Sequence, residues 1–441
     1  MPKKRLIPIV LILIIIGVAI SVISEIKYSI PILEQNGKKE ELQFIVISDL
    51  HYLSEKLGID QAAYKHTLYT ETKLSEESRF IIDAYIEKLS NEPSEIIIVT
   101  GDMTNNGEKI CHQEVIEKLN KLRKAGKRVF VIPGNHDINN PLAFKYIGYN
   151  QVKTETITPE EFASMYADFG YNQAYSRDKH SLSYALNIDS TFVLIGLDAC
   201  LYKQNTDTKS FSGGKLSDNT IVWLEKVLAD AKDKGKRPFI SMHHGLIEHF
   251  PGQSLSPVSA DYILSNSHQL ISLLKKYDVK LVFTGHFHAN DIATVAENLY
   301  DIETGSTITY PHSYRIIKVE DYTLTVKTKN IDQVKINTGK LSFKEYSIQR
   351  TMKGLENYFN NNWKRVSGNY PDSIVRKLRN EFTKAVLAHY YGDEVMPLSS
   401  LALITESEKS NDSFLKLIGI ALKGIYSDGM PADREIMIEL K

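Results

Sequence analysis

The sequence predicts an α/β catalytic fold followed by a smaller, mainly helical C-terminal domain. Before residue 340, short apolar runs alternate with amphipathic stretches of helical period; past it only helical patterns persist. Several of the apolar runs also stop in the same kinds of residue, Asp, His or Asn, which places polar chemistry at strand ends.

The first element reads differently from the rest. Lys3, Lys4 and Arg5 precede an uncharged run from Leu6 to Ser24, rich in Ile, Leu and Val. At about 1.5 Å rise per residue such a run just spans a hydrocarbon core of roughly 30 Å. Residues 1–24 are therefore expected to be a signal-anchor or transmembrane segment. The basic cluster stays cytoplasmic, and the catalytic part lies outside the cell membrane. Cleavage is the competing reading, since Ala19-Ile20-Ser21 offers small residues at suitable spacing and would leave a secreted protein. Residues 25–42, polar and with the turn signal Asn36-Gly37, read as a stalk.

The catalytic domain is expected over 43–339. Strands are predicted at 44–48, 96–100 and 129–132. Between them, Ile82, Tyr85, Ile86 and Leu89 share one helical face, and Val115, Leu119 and Leu122 share another. A second set of strands is predicted at 183–188, 192–197, 239–242 and 281–283, with a helix carrying Ile221, Leu224 and Leu228, and paired strands again from 314 to 328. Residues 139–182, rich in Tyr and Asn, read equally as a lid or as a packed insertion. In the C-terminal domain, 340–441, helices are predicted at 355–363, 371–391 and 413–426, with Pro371 acceptable in a first turn.

Composition narrows the function. The 53 basic residues balance 54 acidic ones and form no stripe beyond the N-terminus, so bulk nucleic acid is excluded as a partner. The two cysteines, Cys111 and Cys200, form no Cys-x-x-Cys pair; a structural zinc site is not expected, and both read as small core residues.

The chemistry lies where strands end: Asp49-Leu50-His51, Gly101-Asp102, Gly134-Asn135-His136-Asp137, His243-His244-Gly245 and Gly285-His286-Phe287-His288. In an open α/β sheet the carboxyl ends of strands converge on one crevice. Carboxylate, imidazole and amide donors without thiolate suit Mn²⁺, Fe or Zn²⁺. Seven such ligands exceed what one ion needs and fit two, with one carboxylate bridging. Singly, each piece is ordinary; five in order, each at a strand end, describe a site.

These motifs resemble the calcineurin-like metallophosphoesterases, whose signature is Asp-x-His, Gly-Asp, Gly-Asn-His-Asp/Glu, a His and Gly-His-x-His. The likeness covers roughly residues 43–325. It implies a four-layer αββα sandwich, with Asp49, His51 and His288 on one metal, Asn135, His243 and His286 on the other, and Asp102 bridging. It also implies that His136 is the catalytic histidine, oriented by Asp137. His243-His244-Gly245 departs from the family's frequent His-Pro; His243 is the expected ligand, with His244 a substitute or a substrate contact. Asn105, after Gly101-Asp102, is a second candidate substrate contact. The stretch Glu303-Thr304-Gly305-Ser306 with Tyr310-Pro311 and Tyr314-Arg315 is similar to membrane-anchored bacterial cyclic-nucleotide phosphodiesterases.

The expected enzyme is thus a two-metal phosphoester hydrolase, manganese preferred over iron or zinc, acting on a small phosphorylated substrate, a cyclic or other small nucleotide. Phosphomonoesters, nucleotides and lipid head-group pyrophosphates are the enzymatic alternatives, and a non-catalytic scaffold is the remaining one. Tyr310 and His312 read as core or surface residues before base-stacking ones.

Overall fold

The computed structural model describes residues 41–68, 71–255, 259–295, 298–366, 370–427 and 432–440. The expected membrane segment and nearly all of the expected stalk lie outside the described residues. Among the described residues no helix is long and apolar enough to cross a membrane.

From β1 (Glu41–Ile47) the chain runs through α1 (Ala62–Thr67) and α2 (Ser78–Ser90) to β2 (Ile96–Val99), α3 (Lys109–Lys124) and β3 (Arg128–Val131). A hairpin of β4 (Phe144–Ile147) and β5 (Asn150–Lys153) and the helix α4 (Pro159–Met165) follow. Next come β6 (Ser176–Arg177), β7 (Tyr184–Asn187), β8 (Phe192–Leu197), α5 (Asp218–Asp233), β9 (Arg237–Met242), α6 (Ser267–Lys276) and β10 (Leu281–Thr284). The strands β11 (Asp291–Val295), β12 (Leu299–Glu303), β13 (Ser313–Glu320) and β14 (Thr323–Asn330) complete the strand-rich part. Four helices then pack together, α7 (Phe343–Val366), α8 (Asp372–Tyr391), α9 (Leu398–Glu408) and α10 (Ser413–Ile425), before a final strand, β15 (Glu435–Glu439).

The strands form two large sheets, ordered β15-β14-β13-β1-β2-β3 and β11-β12-β10-β9-β8-β7-β6. Strands β1, β2 and β3 are parallel, as are β8, β9, β10 and β12. Alternation of side chains along a strand assigns the layers. In β8 to β10, Phe192, Leu194, Phe239, Leu281 and Phe283 enter the core shared with the first sheet, while Val193, Ile195, Ile240 and Val282 enter a second core with Leu224 and Leu228 of α5 and Leu270 and Leu274 of α6. Phe44 of β1 stacks on Phe239 at 5.2 Å and meets Phe283 edge-on at 5.1 Å, so the two sheets lie face to face. With α2 and α3 covering the first sheet, the result is a four-layer αββα sandwich.

The predicted strands fall where expected, within a few residues at each end. β6, β11, β12, the β4–β5 hairpin and α9 carried no strong pattern and were not predicted. Residues 139–182 are a packed insertion: Phe162, Tyr166, Phe169 and Tyr171 are buried in the main core. Cys111 is buried and Cys200 half-buried, and both are free thiols.

The C-terminal helices have an apolar cluster of their own, built on Phe359, Trp363, Leu378, Ala385, Ile404 and Leu422. A smaller cluster joins Leu355, Val386 and Tyr390 to Ala289 and Phe287, just past β10. β15 leaves the helices to pair antiparallel with β14, Ile438 opposite Leu324, so the end of the chain is stitched into the first sheet.

Candidate active site

The parallel strands β1, β2 and β3 end side by side, and so do β9 and β10 in the facing sheet, which brings the five motifs to one edge of the sandwich. Backbone hydrogen bonds fasten the loops together: Asp49 N to Gly101 O (3.1 Å), His51 N to Asp102 O (2.9 Å) and Gly285 N to His243 O (3.0 Å). The Glu303-to-Ser306 stretch closes the end of β1, Ser306 Oγ donating to Asp49 O at 2.8 Å. Asp49, His51, Asp102, His286 and His288 all have positive φ, 52°, 38°, 51°, 77° and 68°. Non-glycine residues rarely adopt this conformation, and its concentration on the candidate ligands marks strain held at a functional site. Gly134 is required by packing, because a Cβ there would strike the backbone N and carboxylate of Asp102.

Two donor groups result. In the first, His51 Nε2 lies 3.1 Å from His288 Nε2 and 3.6 Å from Asp49 Oδ1, while His288 Nε2 is 3.3 Å from Asp49 Oδ1. In the second, His243 Nε2 lies 3.1 Å from Asn135 Oδ1, and Asp102, His243 and His286 offer donors within 4.8 Å of one another. Asp102 Oδ2 belongs to both, 3.5 Å from His51 Nε2 and 3.4 Å from His243 Nε2. Its other oxygen is occupied, accepting from His136 N at 2.9 Å.

These spacings suit cations. Donors about 2.1 Å from one ion lie about 3.0–3.4 Å from each other in octahedral or tetrahedral arrangements. Asp49 Oδ1 and His286 Nε2 are buried without a hydrogen-bond partner, which is costly unless a ligand satisfies them. The His243 imidazole is fixed from behind, its Nδ1 donating to Thr100 O at 2.9 Å, which directs Nε2 at the second group. Electrostatics agree. Burial lowers His243, but the Asp102 carboxylate outweighs it and raises this imidazole to about 9. Burial likewise opposes ionisation of Asp49, yet the imidazoles of His288 and His51 hold its carboxyl well below the usual range. Burial holds the imidazoles of His51 and His286 well below the usual range, which keeps them in the neutral form that ligates a cation.

The remaining predicted residues separate. His136 sits beside the first group, its ring 4.8 Å from that of His51. Asp137 does not touch that ring: His136 Nδ1 donates to Asn105 O at 2.6 Å, with Asn106 Oδ1 at 3.1 Å. The expectation that Asp137 orients His136 is therefore corrected. The Asp137 carboxylate instead accepts from Gly134 N (2.9 Å), Met103 N (3.1 Å), Thr104 N (3.0 Å) and Thr104 Oγ1 (3.0 Å), which latches the loop after β2 to the loop after β3. Asn105 serves through its carbonyl. His244 is fully buried; its Nε2 donates to Ser212 O at 2.8 Å and its ring lies 4.6 Å from that of His286, so it packs behind His286. His312 bridges Thr307 O and Ser347 Oγ in the interior.

Two residues carried no sequence signal. Lys73, in the segment before α2, brings Nζ to 3.5 Å from His51 Nδ1, and the ring of Tyr262 lies 4.7 Å from that of His286. Each is distant in sequence from every motif, so only folding reveals it.

A sandwich that pools carboxylate, imidazole and amide donors on one edge, and no thiolate, has the equipment to hold divalent cations against a phosphate; fold and site together define a metal-dependent phosphoesterase. The chain belongs to the calcineurin-like phosphoesterase family, whose model matches residues 42–290. It is 25% identical over 243 residues to a glycerophosphodiester phosphodiesterase of Enterobacter lignolyticus, covering 55% of this chain and 69% of that protein. It is 25% identical over 259 residues to a probable cyclic nucleotide phosphodiesterase of Coxiella burnetii, covering 58% and 79%. Among solved structures, a dimetal phosphatase from Danio rerio aligns with a TM-score of 0.48 at 15% identity, over 66% of this chain and 96% of that one.

Proposed function

We propose that the centre is binuclear and hydrolyses phosphodiesters, cyclic or other small nucleotides being the preferred substrates. The observation that carries the binuclear reading is the single oxygen, Asp102 Oδ2, directed at both donor groups. Asp49, His51 and His288 would hold one cation, and Asn135, His243 and His286 the other. Donors of this kind accept Mn²⁺, Fe or Zn²⁺, and manganese is the choice to test first. Two such ions, when bound, lower the pKa of a water to near neutrality and neutralise the phosphate.

The chain's own groups do the rest. His136 Nδ1 is fixed by Asn105 O, so Nε2 is the atom free to give a proton to the departing alkoxide or to hold a phosphate oxygen. When His51 Nε2 is a ligand, its Nδ1 carries a proton and offers Lys73 no lone pair. The ammonium, ion-paired with Glu71 at 4.0 Å, is then able to reach an anionic substrate as well. The diester preference is supported by relatives named for phosphodiesters of glycerol and of cyclic nucleotides. Residues 1–24 are proposed to tether the enzyme to the outer face of the cell membrane.

The test compares the full-length chain with Asp102→Asn, in Mn²⁺, on bis-p-nitrophenyl phosphate, p-nitrophenyl phosphate and 2′,3′- and 3′,5′-cyclic nucleotides. Diester hydrolysis that vanishes in the variant supports the reading. Preference for the monoester would replace it with a phosphatase.

A further inference from the structure

A second set of buried charged groups lies behind Phe287, where the C-terminal helices meet the second sheet. Asp291 opens β11, Asp301 and Glu303 lie on β12, His249 follows β9, His389 sits in the last turn of α8 and Glu394 follows that helix; all are buried. His249 Nδ1 is 2.7 Å from Asp291 Oδ1, and its Nε2 is 3.1 Å from Asp301 Oδ2 and 3.6 Å from Glu303 Oε2. His389 Nδ1 is 2.5 Å from Glu394 Oε1 and 3.8 Å from Asp291 Oδ2.

Charge does not balance here. The four carboxylates outnumber the two imidazoles by two, so even with both imidazoles protonated a negative surplus remains in the interior. The buried Arg315 guanidinium, bonded to the carbonyls of Glu303, Asp291 and Asp433 and to Thr328, offsets one of these charges, but the buried Asp433 carboxylate beside it adds one back. Uncompensated buried charge is costly, and either protons or a cation must offset it. Burial does push Glu303 up to about 8, which removes part of the surplus. Geometry favours a cation for the rest. Asp291, His389 and Glu394 present ligand atoms all within 4.8 Å of one another, and Glu394 Oε2 is buried with no hydrogen-bond partner on a side chain only 1% exposed.

We propose that Asp291, His389 and Glu394 form a further metal site, separate from the catalytic centre, for one divalent cation of the Mn²⁺ or Zn²⁺ type. Two carboxylates and one imidazole are donors that such ions accept. Ligands from β11 and from the end of α8 would make the ion a cross-link between sheet and helices. On binding, the proton shared by His389 Nδ1 and Glu394 leaves, and the vacated lone pairs go to the metal.

Metal content of the full-length chain and of Glu394→Gln and His389→Ala, each saturated with Mn²⁺ or with Zn²⁺ and then dialysed, tests this. Loss of one equivalent of ion in each variant, with diester hydrolysis retained, is the expected result; folded variants with unchanged content overturn it. Hydrogen exchange on the wild type covers the case of variants that do not fold. Chelation should raise exchange in residues 386–394, and an unchanged rate there, while 286–288 responds, overturns the proposal.

Discussion

Replacing Asp137 by Ala removes the acceptor from four donors at once, the N–H groups of Gly134, Met103 and Thr104 and the Thr104 hydroxyl, at 2.9–3.1 Å. The side chain is fully buried, so its donors have no contact with bulk water. Three stranded backbone N–H groups at about 1–3 kcal/mol each give a loss of about 3–9 kcal/mol, the low end applying if the loops relax. Against a typical total of about 5–15 kcal/mol this is severe. Asp137→Asn keeps one acceptor oxygen and turns an amide toward the other donors, so about half the loss is expected. Activity should fall with it, because the latch sets the loop of Asp102 against that of Asn135 and His136. Urea unfolding followed by circular dichroism, with metal content and diester hydrolysis measured on the same samples, makes the comparison. An Ala variant that loses less than about 1 kcal/mol and keeps its metal, yet loses hydrolysis, would refute the latch and restore Asp137 as the residue that serves His136.

Further outcomes follow from the same geometry. Asp102→Asn should release bound metal as well as abolish hydrolysis, read by elemental analysis, because its Oδ2 faces both donor groups. His136→Ala should lower kcat by about 10²–10⁴-fold with metal content unchanged, the range of a general acid. Lys73→Met should raise KM and lower kcat/KM about tenfold, in line with one charge-assisted hydrogen bond to phosphate, with kcat little altered. His312 is held neutral by burial, its pKa lowered to about 4, whereas an unfolded chain protonates it near 6.5. The unfolded state therefore binds more protons, so the stabilisation is complete above pH 6.5 and is lost as pH falls toward 4, by up to about 3 kcal/mol. The urea midpoint should drop over that window, less steeply in His312→Gln.

The site was legible in the sequence because its candidate ligands come from short motifs fixed to strand ends. Spacing and residue chemistry mark the five strand-end motifs, the family resemblance singles out Asp49, His51, Asp102, Asn135, His243, His286 and His288 within them, and all seven come together at one edge of the sandwich. The strands that carry them were equally legible, since runs such as Ile96 to Val99 are buried on both faces and read as continuous apolar segments. β15 carried no strand signal because Met437 stands exposed between Ile436 and Ile438 and blurs the alternation, and five residues at the end of a helical region make a weak pattern. α9 was missed because its apolar residues do not form one face; Leu398 and Leu401 are exposed while Ile404 is buried.

By itself, then, the sequence determined the α/β class, the motif-bearing strands and the donor atoms, all of which follow from local periodicity and residue chemistry. Tertiary structure decided what depends on partners remote in the chain. It turned Asp137 from an orienter of His136 into a latch between loops, withdrew His244 behind His286, and placed Lys73 beside His51. It also brought Asp291 to His389 and Glu394 across about a hundred residues of chain. A side chain's type is written locally, but the atom it faces is set by how layers pack, and no window of sequence contains that information.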